Sequence, residues 1–360
     1  MSKKIVIDLR IYGPEFGGLG RYNQKLLENL IKQDNINQYI ILVKKVQNIK
    51  LPNNFIFKVF NFHWYSFKEQ IFLPLLLKKI KPDLVHFTHF NVPFFYSGKY
   101  IVTIHDLIMT KFPSRKSSTL GSLLFFIKRL GYNLIIKKAV KKADKIITVS
   151  KFTAKDIKKY FKLKNINKIN VIYEGVTKIN KKYENLKLPN NFFLYIGNAY
   201  PHKNLKFLIK VFKKFLKNNK DYYLILIGKK NYFYKKLEKY SNNNNIIFTD
   251  FVPDNILPNY YKKAKAYIFP SLYEGFGLPP LEAMSYELPV LSSNIDSLKE
   301  ILENSILYFN PKDEDDLLNK LNIIISNDKL RENLKNLGLK QIKKYSWSTM
   351  VKKIINLYNI

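Results

Sequence analysis

Residues 266–285, AYIFPSLYEGFGLPPLEAMS, read as a short strand, a glycine turn and the start of a helix. Pro279 and Pro280 suit the first turn of that helix, where an N–H has no intrahelical partner anyway. Gly275 and Gly277 let the backbone take positive φ and pass close to a ligand. The N–H groups of such a turn, with a helix N-terminus behind them, make an anion site, and a diphosphate is its natural occupant. Glu274 and Glu282 stand on either side of the turn. Both accept hydrogen bonds, so each can take hydroxyls. Glu282 is expected within the first turn or so of the helix, pointing into a cleft. One phosphate cradle between two hydroxyl binders suits a nucleotide-diphosphate sugar.

The same rhythm of strand, turn and helix runs through the chain. Strands are predicted over 4–9, 39–44, 55–61, 83–88, 100–105, 145–149 and 169–173, then over 192–197, 222–228, 245–249, 266–269, 289–292 and 305–309. Helical patterns fall between them, for example at 20–32, 66–80, 119–142, 205–218, 313–326 and 346–358. Such alternation means βαβ units and parallel sheets. A chain of 360 residues is expected to form two domains, because single cores stop growing near 250–300 residues. TKINKKYENLKLPNN, 177–191, lacks periodicity and is the best linker. The expected division is a first domain over 1–177, a linker over 178–191 and a second domain over 192–345, with the helix over 346–360 returning to the first. Ligands are expected at strand C-terminal ends and in the cleft between domains.

Composition narrows the function classes. Hydrophobic residues make up 46% of the chain, which argues against disorder. No apolar run approaches the roughly 18 residues that cross a bilayer. MSKKIVIDLR reads as a first strand, not a signal peptide. The absence of cysteine excludes a disulfide framework, a thiolate metal site and a Cys nucleophile, and fits a cytoplasmic location. The formal charge is +35, with 62 Lys and Arg against 27 Asp and Glu. Only Arg10, Arg21, Arg115, Arg129 and Arg331 are arginine, whereas a nucleic-acid reader is expected to use more of it. The lysine excess reads as coding bias mixed with attraction to an anionic surface. The stretch 119–142 sets Leu123, Ile127, Leu130 and Leu134 beside Lys128, Arg129, Lys137, Lys138, Lys141 and Lys142. It is either a core helix with a lysine outer face or an amphipathic helix that rests on anionic lipid.

Several other stretches carry candidate chemistry. RIYGPEFGGLGRY places Gly13, Gly17, Gly18 and Gly20 between the first strand and a helix, with a spacing that is not the dinucleotide fingerprint. YIGNAYPHKNLKFLI, 195–209, is the first strand, loop and helix of the second domain. It holds Gly197, His202 and Lys203, the last either a diphosphate partner or a solvated cation. IVTIHDLIM ends a strand with His105 and Asp106. His86 and His89 lie in a strand at a spacing that sends them to opposite faces, against a metal pair. Glu174, in VIYEGV, either faces the cleft or accepts turn N–H bonds. The acidic run 313–316 reads as a solvated first helical turn, not a metal site.

SLYEGFGLPPLEAMSYELPVLSSN resembles the E-x7-E signature of the retaining glycosyltransferases of family 4. The resemblance is dense from 192 to 310 and thin from 30 to 100. It implies the α/β GT-B fold, with two doubly wound Rossmann-like domains facing across a cleft. It also implies transfer of a hexose, of mannose or glucose type, from GDP-mannose or a UDP-sugar. The acceptor would be a glycan or lipid-linked sugar in cell-surface polysaccharide synthesis. By the resemblance, Glu274 faces the donor sugar and Glu282 the ribose hydroxyls. Gly275 and the amides of Phe276, Gly277 and Leu278 hold sugar and diphosphate. Gly17 and Gly18 belong to a loop that approaches donor phosphate and acceptor. Gly197 and His202 line the donor site, with His202 where the family commonly has Arg. Lys203 meets the diphosphate and His105 stands beside the donor sugar, so the implied catalytic set is His105, Lys203 and Glu274. No metal and no cofactor are implied, and no nucleic-acid partner. The implied location is cytoplasmic, at the inner face of the membrane where anionic lipid is engaged. The sequence departs from the family at Glu287, where a glycine usually closes the helix, and at Lys299, where proline usually precedes Glu300. The rival readings are a sugar-nucleotide epimerase of the same fold and a basic nucleic-acid-binding protein.

Overall fold

The computed structural model describes residues 2–112, 122–178 and 186–359. It divides into two compact units, Met1–Gly175 with Ser346–Ile360, and Val176–Tyr345. Residues 179–185 of the expected linker, residues 119–121 of the expected helix and the side chain of Leu123 lie outside the described residues.

The first unit holds β1 (Lys4–Asp8), β2 (Gln38–Val43), β3 (Phe55–Val59), β4 (Leu84–Phe87), β5 (Tyr100–Ile104), β6 (Lys145–Thr148) and β7 (Ile169–Val171). They form one sheet in the order β3-β2-β1-β4-β5-β6-β7, with every pairing parallel. The second unit holds β8 (Phe192–Ile196), β9 (Tyr223–Ile227), β10 (Ile246–Thr249), β11 (Ala266–Phe269), β12 (Val290–Ser293) and β13 (Leu307–Phe309). Their order is β10-β9-β8-β11-β12-β13, again all parallel. Each expected strand forms, with ends displaced by a residue or two, as fraying termini allow.

Parallel sheets need cover on both faces, so their central strands are apolar without alternation. KIVID of β1 and FFLYI of β8 show this, with Ile5, Val6, Ile7, Phe192, Phe193 and Leu194 fully buried. In each sheet the chain reverses direction beside its first strand, at β1/β4 and at β8/β11. These are the topological switch points, where the loops leaving neighbouring strands part and open a crevice.

The last helix, Trp347–Tyr358, belongs to the first unit. Its Tyr358 hydroxyl lies 2.6 Å from His86 Nδ1 in β4, and the Tyr358 carbonyl accepts from Lys3 Nζ at 3.0 Å. The other His86 nitrogen meets Thr103 Oγ1 at 2.8 Å. Strand alternation separates His86 and His89 only in part, because β4 stops at Phe87 and His89 lies beyond it. The acidic run behaves as a first helical turn. Asp313 accepts from the amides of Asp315 and Asp316, and Glu314 pairs with Lys210 and Lys214.

Candidate active site

The loops after β8 and β11 meet at the second unit's switch point. Gly197 ends β8 with φ 155°, and its carbonyl accepts from Tyr234 Oη at 2.7 Å. A short 3-10 turn, Pro201–Lys203, follows and leads into the helix Leu205–Phe215. The His202 carbonyl accepts from the Leu272 amide at 2.8 Å, which ties this loop to the one after β11. Lys203 Nζ then donates to Glu274 Oε1 at 2.6 Å, above the Phe269 ring. Two residues assigned to one site by separate motifs are thus in direct contact. Their side chains are 13% and 10% exposed, so the pair is shielded yet reachable from solvent.

Burial first, and then the Lys203 charge, push the His202 imidazole down to about 4; Glu274 offsets this only in part. His202 is therefore neutral near pH 7 and adds no second cation where the family commonly has Arg.

Phe276 is buried edge-on against Tyr345, at 5.4 Å between ring centroids. Gly277 caps the helix Leu278–Ser285 in the left-handed conformation, φ 97°, with no side chain capping it. A Cβ there would stand 2.7 Å from Leu298 Cδ2, a side-chain methyl that would have to shift, and the positive φ is what demands glycine. Among the described residues neither the Gly277 nor the Leu278 amide has an acceptor. Pro279 and Pro280 carry no N–H, so these two amides are the donors the helix start presents. Glu282 sits in the second turn of the helix rather than the first, within 3.5 Å of the Tyr261 hydroxyl. Glu287 takes φ 60° and closes the helix in the left-handed form without the expected glycine. The Leu288 amide bonds back to the Ala283 carbonyl, which satisfies the helix end despite the strain.

In the first unit, Gly17 and Gly18 are exposed and open the helix Gly17–Gln33. His105 follows β5. Its Nε2 lies 3.0 Å from the Thr88 carbonyl and its Nδ1 3.2 Å from Glu174 Oε1. Tyr22, from the helix that the glycines open, packs edge-on to its ring at 4.7 Å. Glu174 thus partners a histidine. His105 is fixed on both nitrogens by the protein itself, so any ligand contact it makes must exchange or share one of these bonds.

Sequence reasoning missed a second ionic cluster, at the first unit's switch point. Arg10, just past β1, is gripped by both oxygens of Asp8, at 2.7 and 2.6 Å, and by Glu69 Oε1 at 2.5 Å. Asn91 donates to the same Glu69 carboxylate. The available signal was an arginine just past the first strand in a chain that has only five arginines among its 62 basic residues.

The sequence profile described as "Glycosyltransferase Family 4" matches residues 16–178, and that described as "Glycosyl transferases group 1" matches 176–341. The O-antigen chain mannosyltransferase RfbU of Salmonella typhimurium is 32% identical over 260 residues, covering 70% of this chain and 67% of that protein. The chain belongs to the family 4 glycosyltransferases. A second relative of this family-4 chain, O-antigen chain mannosyltransferase B of Escherichia coli, is 34% identical over 174 residues; the match takes in 47% of this chain and under half, 46%, of that relative. Among solved structures, Anabaena Alr3699/HepE in complex with UDP-glucose superposes with a TM-score of 0.71 at 16% identity, covering 99% of each chain. That likeness carries the two-domain GT-B fold. No helix among the described residues is long and apolar enough to cross a membrane.

Proposed function

We propose that this family 4 glycosyltransferase moves a hexose, of mannose or glucose type, from a nucleoside-diphosphate sugar to a glycan or lipid-linked acceptor during polysaccharide synthesis, with retention of configuration. The second unit takes the donor and the first the acceptor. One observation carries the donor assignment: the Lys203–Glu274 pair beside the two amides of Gly277 and Leu278 that lack acceptors. The amides and Lys203 stabilise the diphosphate as negative charge develops on it, where preorganised donors are most effective. Glu274 Oε1 holds Lys203, which leaves Oε2 to accept from a donor-sugar hydroxyl. Glu282 takes the ribose. In the reaction the bond from sugar C1 to the diphosphate oxygen breaks and that to the acceptor oxygen forms on the same face. The acceptor proton passes to the departing phosphate. The relatives' names favour mannose, and the HepE complex favours a UDP-linked donor, so both GDP and UDP belong in the test.

The test is thermal unfolding with UDP, GDP and ADP. A diphosphate at a hundred times its Kd stabilises by about 2.7 kcal/mol. One of the three raises the melting temperature, Glu282→Ala weakens the response and Lys203→Met removes it. No response to any of the three refutes the donor site.

A second reading concerns location, and a surface feature of the first unit supports it. Phe126, Ile127, Leu130 and Leu134 are exposed on the helix Ser122–Lys142, and Phe67, Ile71, Phe72 and Leu75 on the helix Phe67–Ile80. The loop with Phe94 and Phe95 joins them: Gln70 accepts from the Phe94 amide, and Lys138 lies over the Phe94 ring. Apolar surface on this scale, interleaved with lysine, suits an anionic lipid headgroup layer. Sedimentation with phosphatidylglycerol vesicles is expected to carry the protein down. Leu130→Asp with Leu134→Asp should release it, and equal binding to neutral phosphatidylcholine would refute the reading.

A further inference from the structure

The cluster around Arg10 is built like a site. Ser66 caps the helix Phe67–Ile80 by accepting from the Glu69 amide. Glu69 in turn accepts from the Tyr65 amide at 2.8 Å, with Tyr65 held at φ 61°. This local capping fixes the carboxylate that orders both Arg10 and Asn91. Burial by itself would lower the Arg10 pKa, but Asp8 and then Glu69 outweigh it and raise the value. The Arg10 side chain is 1% exposed, yet its Nη1 has no partner among the described residues, and neither does the buried Oδ1 of Asn91. A buried donor and a buried acceptor left open each cost about 1–3 kcal/mol unless something pairs with them. Both belong to residues that line a notch with Asp8, Ile11, Trp64, Thr88 and His89, of about 10 Å³, room for one hydroxyl or water. The notch lies where the loops after β1 and β4 part, the first unit's counterpart of the donor crevice.

We infer that this notch is the subsite that selects the acceptor sugar: Arg10 Nη1 donates to, and Asn91 Oδ1 accepts from, one hydroxyl of an uncharged hexose whose ring rests on the Trp64 side. This rests on the glycosyl-transfer reading and names the acceptor class. Charge decides against an anion. Arg10 and Lys44 are matched by Asp8 and Glu69, so an incoming carboxylate or phosphate would meet no net positive charge. A hydroxyl satisfies both open groups at once and adds no charge. Trp64, pinned by Lys44 at 3.4 Å from its ring centroid and by Phe16 edge-on, supplies a rigid apolar wall for the C–H side of a sugar.

The test uses the full chain and saturation-transfer NMR with methyl α-mannoside, methyl α-glucoside and methyl β-N-acetylglucosaminide, with glucuronate and inorganic phosphate as charged comparators. At least one neutral glycoside should receive saturation. Its Kd should rise at least fivefold in Arg10→Lys, which keeps the charge and loses the second nitrogen, and in Trp64→Ala. Failure of all three glycosides to bind, tighter binding of glucuronate or phosphate, or unchanged Kd in both variants would overturn the subsite. The nucleotide melting response, read on the same samples, reports folding and the donor site separately. Diphosphate binding without glycoside binding defeats the subsite alone; the converse defeats the donor reading alone.

Discussion

The two switch points solve the same problem with different ions. In the second unit one lysine faces one carboxylate, Lys203 and Glu274, and both side chains keep some contact with solvent. In the first unit one arginine faces two carboxylates, and the side chains of Arg10 and Glu69 are essentially sealed. A single ammonium on a flexible stem can be drawn from its carboxylate by a diphosphate. A guanidinium locked on three of its bonds cannot move, and offers one further N–H in one direction. The first arrangement suits a group that changes charge during reaction; the second suits recognition of a fixed neutral one.

Removing the cations is the sharpest way to break that comparison. Arg10→Met leaves Asp8 and Glu69 without their partner in a buried setting, and is expected to cost about 3–5 kcal/mol in denaturant unfolding. Lys203→Met should cost only on the order of 1–2 kcal/mol, since Glu274 can be partly rehydrated. Equal losses would show that the two sites are not mechanically distinct.

Acid separates them next. His202 is held down to about 4 and His86, fully buried, to about 3, both by burial first. A histidine neutral in the folded state but titrating near 6.5 when unfolded makes the unfolded chain bind more protons. Stability is therefore complete above about pH 6.5 and falls as pH drops towards 4, by about 1.4 kcal/mol per pH unit for each group. Unfolding midpoints measured from pH 7 to 5 should show that decline. Tyr358→Phe should alter it through His86 alone, and Lys203→Met should flatten it through His202. A flat profile in the parent protein would contradict the buried neutral state.

The smallest effects lie at the two left-handed residues that bracket the helix after β11. Gly277→Ala is strained in φ and clashes with Leu298, and should cost about 1–2 kcal/mol. Glu287→Gly relieves the same kind of strain and should gain about 1 kcal/mol without altering nucleotide binding. Opposite signs in thermal melting are expected.

The proposed donor side was the more legible of the two because its chemistry is local. A strand, a glycine turn and a helix within twenty residues carry their own geometry, and His202-Lys203 is a comparable short unit at the end of β8. The proposed acceptor side draws Asp8 from the end of β1, Arg10 and Asn91 from loops and Glu69 from a helix, spread across more than eighty positions. No local pattern marks residues so far apart as neighbours. His105 was placed at its strand end, but its bond to Glu174, 69 positions away, was not legible.

By itself the amino-acid sequence determined the alternation of strands and helices, the two parallel sheets, and the turn that opens a helix between two glutamates. Period, turn chemistry and capping act over a few residues, so they can be read along the chain. Only the folded structure decided which charges are paired, which histidines are neutral, and where a buried donor and acceptor are left open. Those depend on desolvation and on contacts between distant segments, and both come into being only when the sheets have closed over their cores.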